Sequence, residues 1–316
     1  MSTRIELSVV VPVYRSESML PELLRRVDQV LCDYVPRSEI ILVNDGSPDR
    51  SWDVILDLLP SYPRLRAINL MRNYGQHNAL LAGIEESGGE VIVTLDDDLQ
   101  TPPEEIPRLL SELAKGFDLV YGVREKERHG LFRNMCSVGV KWMLNRMLGV
   151  GVASSITSYR AFRSELRRAF DGRTGSCVFV DALLCWGTTK VGSVVVKHCG
   201  RADGRSGYSI RRLIVHTANM VTSFSQVPLQ IASFIGLGAT LLGVAFFIYV
   251  LVSFLLGGKT VPGFTFLAAT LTLFSGIQLF VLGIIGEYLS RMHQRLMGAP
   301  AYVIREKQGA KEGAFA

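Results

Sequence analysis

Three consecutive carboxylates, Asp96, Asp97 and Asp98, stand where the run Glu90-Val91-Ile92-Val93-Thr94-Leu95 ends. That run is short, apolar and β-branched, as in a central strand of a sheet covered on both faces. Behind the aspartates, Leu99-Gln100-Thr101-Pro102-Pro103-Glu104-Glu105 reads as a turn and then a helix start, with prolines and acids in the first turn. Clustered carboxylates repel one another unless a cation sits between them. A donor set made only of oxygen, with no His or Cys beside it, suits Mg2+ or Mn2+ better than zinc, and such ions keep positions open for substrate phosphates. A lone acidic triplet can also be a solvated turn, so the elements around it decide the reading.

Those elements alternate. Strands are expected at Leu7–Val13, Glu39–Val43, Leu65–Asn69, Glu90–Leu95 and Asp118–Gly122, with helices at Met19–Leu31, Ser51–Leu58, Asn78–Glu86 and Glu104–Lys115. This rhythm predicts an α/β fold, Rossmann-like, with a mostly parallel sheet and helices on both faces. Ligands of such sheets bind beyond the carboxyl ends of the strands. Each exit here is polar: Pro12-Val13-Tyr14-Arg15-Ser16-Glu17, Asn44-Asp45-Gly46-Ser47, Arg72-Asn73-Tyr74-Gly75-Gln76, the aspartates, and Gly122-Val123-Arg124. One polar exit is ordinary loop chemistry; five that converge describe a site. No Gly-x-Gly-x-x-Gly follows the first strand and no GxxxxGK[ST] occurs, which disfavours a dinucleotide dehydrogenase and a P-loop NTPase. A phosphate-bearing ligand would then be held by a metal ion and arginines.

The last third differs. No Asp, Glu, Lys or Arg occurs between Arg212 and Lys259, nor between Lys259 and Glu287. Within these windows Leu229–Leu256 and Phe264–Ile285 are each long enough to cross a hydrocarbon core of about 30 Å. Two spans are expected, with a buried helical hairpin as the alternative. Arg211, Arg212, Arg291, Arg295, Arg305 and Lys307 flank the outer ends, whereas Gly257–Gly263 carries only Lys259, so both termini and the first two-thirds are expected on the cytoplasmic side of the inner membrane. Ser209–Phe224 patterns as an interfacial amphipathic helix that would meet membrane lipids. The segment from Gly130 to Leu148 reads as a helix, either core-facing or a lid or membrane-surface contact. The start of the chain shows no signal-peptide pattern. Gly236, Gly238 and Gly243 could pack against another subunit in a homo-oligomer. The expected organisation is 1–208 catalytic domain, 209–228 interfacial helix, 229–288 transmembrane hairpin and 289–316 cytoplasmic tail. Five dispersed cysteines without a CxxC pair suit free thiols in a reducing compartment. A net charge of +5 suits anionic lipid or phosphorylated substrates. Nucleic acid is disfavoured, because the globular part has no basic run interleaved with aromatics.

The ordered set Val11-Pro12-Val13-Tyr14, Val43-Asn44-Asp45-Gly46-Ser47-Pro48-Asp49, Arg72-Asn73-Tyr74-Gly75-Gln76-His77-Asn78 and Leu95-Asp96-Asp97-Asp98-Leu99-Gln100-Thr101-Pro102-Pro103-Glu104 resembles the family 2 inverting glycosyltransferases of the GT-A fold. More narrowly it is similar to the polyprenyl-phosphate glycosyltransferases, and the likeness runs over almost the whole chain, including Gly286-Glu287-Tyr288 and Ala299-Pro300-Ala301-Tyr302. The resemblance implies a nucleotide-sugar donor, UDP-linked by preference, held by Pro12, Tyr14, Glu17, Asp45, Gly75 and Gln76, with Asp97 ranked lower because the family often has a small residue there. It implies Asp96 and Asp98 as metal ligands at the catalytic centre, and Ser154 where many members carry an aspartate assigned as base. Serine is no general base at neutral pH, but a polyprenyl phosphate attacks as an anion and need lose no proton. Arg124, Arg160, Arg201 and Arg205 are the candidates for the acceptor phosphate; the two in the later loop stand near Gly207, where the family usually has lysine. A family member with another lipid or glycan acceptor, and a catalytically silent membrane scaffold, are the alternative readings.

Overall fold

A computed structural model describes residues 5–124, 156–170, 179–198, 227–256 and 263–309. The chain divides into two compact units, one made of residues 1–205 with 298–316 and the other of residues 206–297.

In the first unit, strands β1 (Leu7–Val13), β2 (Ser38–Asn44), β3 (Leu65–Leu70) and β4 (Val91–Thr94) alternate with helices α1 (Leu20–Tyr34), α2 (Ser51–Leu58) and α3 (Gln76–Glu86). Then come α4 (Ile106–Leu113), β5 (Leu119–Arg124), β6 (Arg160–Arg163), α5 (Val180–Gly187), β7 (Val191–Val196) and, near the end of the chain, β8 (Ile304–Gln308). They form one sheet in the order β7-β5-β6-β4-β1-β2-β3-β8. β1 pairs in parallel with β2 and β4, β2 with β3, and β5 with β7, whereas β6 runs antiparallel to β4 and β5 and β8 antiparallel to β3.

β1 lies at the centre because every one of its residues is buried and its Val-rich sequence leaves no polar face to solvate. α1 covers it with a stripe at i, i+3, i+4 spacing, Leu20, Leu23, Leu24, Val27 and Leu31, all fully buried. The expected α/β fold stands, and the early elements agree with the expected spans to within a few residues. Two antiparallel strands break the parallel pattern, and one of them, β8, lies within the segment expected as tail.

The topology brings the functional segments to one edge. β1, β2, β3, β4, β5 and β7 all end there, while the antiparallel β6 and β8 begin there.

The second unit holds α6 (Val227–Leu255, 29 residues) and α7 (Gly263–Leu296, 34 residues). Leu237, Leu241, Leu242, Leu271, Leu279 and Leu282 are among its exposed large apolar side chains. Among the described residues no helix is long and apolar enough to cross a membrane. The segments Gly130–Leu148 and Ser209–Phe224, with Ser154, Arg201 and Arg205, lie outside the described residues.

Candidate active site

At the carboxyl edge of the sheet a cavity of about 520 Å³ is lined by Pro12, Tyr14, Arg15, Ser16, Met19, Asp45, Asn73, Gly75, Gln76 and all three aspartates. Six of the residues expected at the donor (Pro12, Tyr14, Asp45, Gly75, Gln76 and Asp97) thus share one concave surface with Asp96 and Asp98.

Asp45 is 3% exposed, and its two carboxylate oxygens accept the backbone N–H groups of Tyr74 and Gly75 at 2.7 and 2.8 Å. Burial pushes its carboxyl above the usual carboxylate range, against these two hydrogen bonds. The bonds tie the exit of β2 to the exit of β3. Gly46 completes the lock: its φ of +60° is the left-handed region, and a Cβ on it would lie 2.5 Å from the carbonyl carbon of Arg72. Gly75, at φ +93°, then turns the chain into α3.

The aspartate turn is held by neutral groups. Gln76 Nε2 donates to Asp96 Oδ1 at 2.5 Å, and Ser158 Oγ donates to Asp96 Oδ2. The Tyr14 backbone N–H (3.1 Å) and the Ser16 hydroxyl both donate to Oδ2 of Asp97. The Gln100 backbone N–H (3.2 Å) and side-chain amide donate to Asp98. Burial pushes the Asp96 and Asp97 carboxyls up; the serine hydrogen bonds oppose the shift and the neighbouring carboxylates add to it. Partly buried carboxylates crowded together in this way would suit a cation with oxygen-only ligands. Among the described residues no cluster of three or more His, Cys, Asp or Glu side chains could hold a metal.

On the other side of Asp96 and Asp98 lies a smaller pocket of about 100 Å³, lined also by Thr101, Arg124, Ser158 and His198. Sequence reasoning missed His198, which sits within hydrogen-bond reach of Thr101 Oγ1 at 3.4 Å. Burial lowers its pKa and the Arg124 charge lowers it further. The signal was its position two residues past the end of β7, a strand too weakly patterned to be read. Ser158 and Gln100 were also missed as partners of the aspartates.

Two residues expected at the ligands stand apart from both pockets. Glu17 does not line the donor cavity; its carboxylate accepts the backbone N–H of Arg50 at 2.9 Å, where α2 begins and free N–H groups favour an anion. Arg160 is fully buried and donates to Asp181 and to Thr94 Oγ1, so its guanidinium is committed inside the protein and not offered to an acceptor phosphate. Burial works against its charge, but Asp181, Tyr121 and Asp96 together raise its pKa. The Tyr121 hydroxyl donates to the same Asp181 oxygen at 3.0 Å. His77 stacks edge-on against Phe179 at 4.7 Å beside this pair, and burial lowers its pKa to about 4.

The family model "Glycosyl transferase family 2" matches residues 8–169. The undecaprenyl-phosphate 4-deoxy-4-formamido-L-arabinose transferase of Pseudomonas paraeruginosa is 38% identical over 300 residues, 94% of this chain and 88% of the relative. The protein of the same name from Klebsiella pneumoniae is 34% identical over 303 residues, 95% of this chain and 93% of the relative. The crystal structure of glucosyl-3-phosphoglycerate synthase from Mycobacterium tuberculosis in complex with Mn2+ and uridine-diphosphate-glucose superposes with a TM-score of 0.50 at 16% identity, covering 69% of this chain and 77% of the other. That likeness is one of fold. With more than half its length matched by the family model and relatives similar from end to end, the chain belongs to glycosyl transferase family 2.

Proposed function

We propose that this glycosyltransferase moves a sugar from a UDP-linked donor onto undecaprenyl phosphate at the cytoplasmic face of the inner membrane. The observation that carries the reading is the single cavity in which Asp45, Gly75 and Gln76 meet Asp96 and Asp98 at the carboxyl edge of the sheet. Asp45, with Pro12 and Tyr14, holds the nucleoside end. Asp96 and Asp98 hold Mg2+ or Mn2+; their oxygen-only chemistry fits either ion, and the mycobacterial structure of the same fold contains Mn2+ and UDP-glucose. The bound ion supplies neutralisation of the departing diphosphate. Arg124, in the pocket on the far side of the aspartates, holds the acceptor phosphate; Arg201 and Arg205, which lie outside the described residues, are the further candidates from the sequence. The acceptor follows the names of relatives that match this chain from end to end. Ser154 occupies the place of the family's aspartate without acting as a base, since the acceptor phosphate is already ionised.

In this reading the charge-free stretches Leu229–Leu256 and Phe264–Ile285 of the sequence are the two spans. β8 belongs to the same sheet as β1, so the chain before α6 and the chain after α7 contribute to one domain, which is consistent with an even number of crossings between them. The test is sugar transfer to undecaprenyl phosphate in detergent with a panel of UDP-, GDP- and dTDP-sugars, UDP-linked 4-formamido-arabinose included. Release of UDP that depends on the lipid phosphate is the expected result; transfer from a GDP- or dTDP-sugar, or none to the lipid, overturns it.

A further inference from the structure

β8 joins the sheet at its edge and points a line of hydrogen bonds into the site. Asn69 of β3 lies opposite Glu306 of β8 in the register. Its amide Nδ2 donates to Glu306 Oε1 at 3.1 Å. Its Oδ1 accepts from Asn44 Nδ2 at 2.9 Å. Asn44 Oδ1 accepts the backbone N–H of Ser47 at 3.3 Å, and Ser47 Oγ accepts the backbone N–H of Arg15 at 3.3 Å. Asn44 and Asn69 are 2% and 6% exposed, so neither amide can turn to water for a substitute partner.

Every donor in this chain points the same way, and the chain ends on a carboxylate. The direction matters because an amide has one accepting end and one donating end. With Glu306 accepting, Asn69 must present its oxygen to Asn44, and Asn44 must present its oxygen to Ser47. The turn so held, Asn44-Asp45-Gly46-Ser47, contains Asp45 and locks against the backbone of Arg72 and Asn73. The segment after α7 also grips that second loop's stem: the Met71 backbone N–H donates to Val303 O at 2.9 Å, and Arg305 Nη2 donates to Met71 O at 3.3 Å.

We propose that Glu306 is a positioning residue for the nucleotide-sugar donor: through Asn69 and Asn44 it sets the orientation of the Asp45 turn, so the strand that follows the second long helix is a working part of the donor pocket. This rests on the donor reading of the cavity given above. Glutamine at 306 still offers an accepting oxygen. Lysine at that position offers only donors, so it either leaves the buried Asn69 Nδ2 unpartnered or turns both amides over and sets Asn44 Nδ2 against the Ser47 N–H. An aspartate at 69 would accept both from a lysine introduced at 306 and from Asn44, and so restore the line.

The experiment compares Glu306→Gln, Glu306→Lys, Asn69→Asp and the double variant Asn69→Asp with Glu306→Lys in the full-length protein in detergent. UDP affinity, donor KM, acceptor KM and hydrogen exchange over residues 44–49 are measured. Losing one buried hydrogen bond of about 1.4 kcal/mol corresponds to about tenfold. Glu306→Lys is expected to raise donor KM and UDP Kd about tenfold, leave acceptor KM unchanged and speed exchange in the turn. Asn69→Asp, which sets two carboxylates face to face, should do the same. Glu306→Gln should stay near wild type, and the double variant should recover most of the loss, which a merely misfolded protein would not do. Wild-type UDP affinity in Glu306→Lys, or a double variant no better than the singles, overturns the proposal. If wild type itself binds no UDP, the donor reading falls, and unchanged exchange over 44–49 in Glu306→Lys then overturns the relay as well.

Discussion

Asp97 is the residue whose replacement separates geometry from charge in this site. Both of its hydrogen bonds, from the Tyr14 N–H and the Ser16 hydroxyl, land on the same oxygen, Oδ2. They pin the loop after β1 across the cavity, beside Arg15, which is held at φ +59°. A non-glycine residue in that region costs about 1–2 kcal/mol, so the loop keeps its shape only while the bonds last. Hydrogen bonds to an ionised acceptor are worth about 1.5–3 kcal/mol each. Asp97→Ala removes both, and the loop that carries Tyr14 relaxes. With the worth of one such bond recovered when the donor reorders the loop, donor KM should rise about 10- to 100-fold, with a smaller fall in kcat at saturating donor. Asn at 97 can turn its amide oxygen to the Oδ2 position and accept from both donors. It gives up only the charge assistance, about 1 kcal/mol, so donor KM should stay within about fivefold of wild type. Ser16→Ala alone should show part of the loss, and Ser16→Ala in the Asp97→Ala background should add almost nothing, because the two share one interaction. Steady-state kinetics at varied nucleotide-sugar decides it. Asn as damaging as Ala would mean that the charge of Asp97 matters and not its reach, and additive losses from Ser16 and Asp97 would refute the shared bond.

Four further outcomes are expected. Asp96→Asn and Asp98→Asn should each cut transfer at least about 100-fold, the several kcal/mol that a bound ion supplies, while the protein stays folded; EDTA should silence the wild type, with Zn2+ restoring little, and wild-type rates in limiting Mn2+ would count against both. His77, neutral in the folded protein down to about pH 4 but protonated below its ordinary 6.5 when unfolded, should lower stability as pH falls from 6.5 towards 4, by at most about 3 kcal/mol; melting of wild type and His77→Gln at pH 7.5 and pH 5 should converge at the lower pH, and parallel curves would refute it. Asp181→Ala strands the charge of a fully buried arginine and should cost about 3–5 kcal/mol, with the double variant Arg160→Met with Asp181→Leu recovering much of it in thermal melts; an unchanged Tm for Asp181→Ala would rule the pair out as structural. A membrane-impermeant thiol reagent on intact cells should label a cysteine at Lys259 and miss one at Arg305, and the reverse pattern would reverse the topology.

The first five strands were legible because each is a compact apolar run closed by turn residues, and parallel strands buried on both faces must read that way. β6 is only Arg160-Ala161-Phe162-Arg163, and β8 is Ile304-Arg305-Glu306-Lys307-Gln308, four of its five residues polar. Neither has an apolar run; pairing with β4 and β3 makes them strands, and a chain read locally does not contain that partner. The same limit explains Glu17 and Arg160. Motif order put them near the ligand, whereas direction, which only packing sets, turned one to the start of α2 and the other into the core. A clue to Arg160 was available in α5, where Asp181 stands alone in the apolar stretch Val180-Asp181-Ala182-Leu183-Leu184-Cys185: a buried carboxylate demands a partner.

The way the aspartates are held bears on the cation site proposed for them. An enzyme that used lysine or arginine to fix Asp96 and Asp97 would satisfy their charge and leave nothing for a metal to neutralise. Here the hydrogen bonds come from Gln76, Ser158, Ser16 and a backbone N–H, groups that fix orientation and leave the negative charge in place. Buried Arg160 favours ionised Asp96, but its guanidinium is paired with Asp181 inside the core and makes no hydrogen bond to Asp96, Asp97 or Asp98. The carboxylates therefore remain partly desolvated, which pushes the Asp96 and Asp97 carboxyls up, with the Asp98 charge adding to both. A divalent ion bound with a diphosphate would relieve both burial and repulsion at once, so donor and ion should bind more tightly together than either does alone, with reciprocal coupling between them.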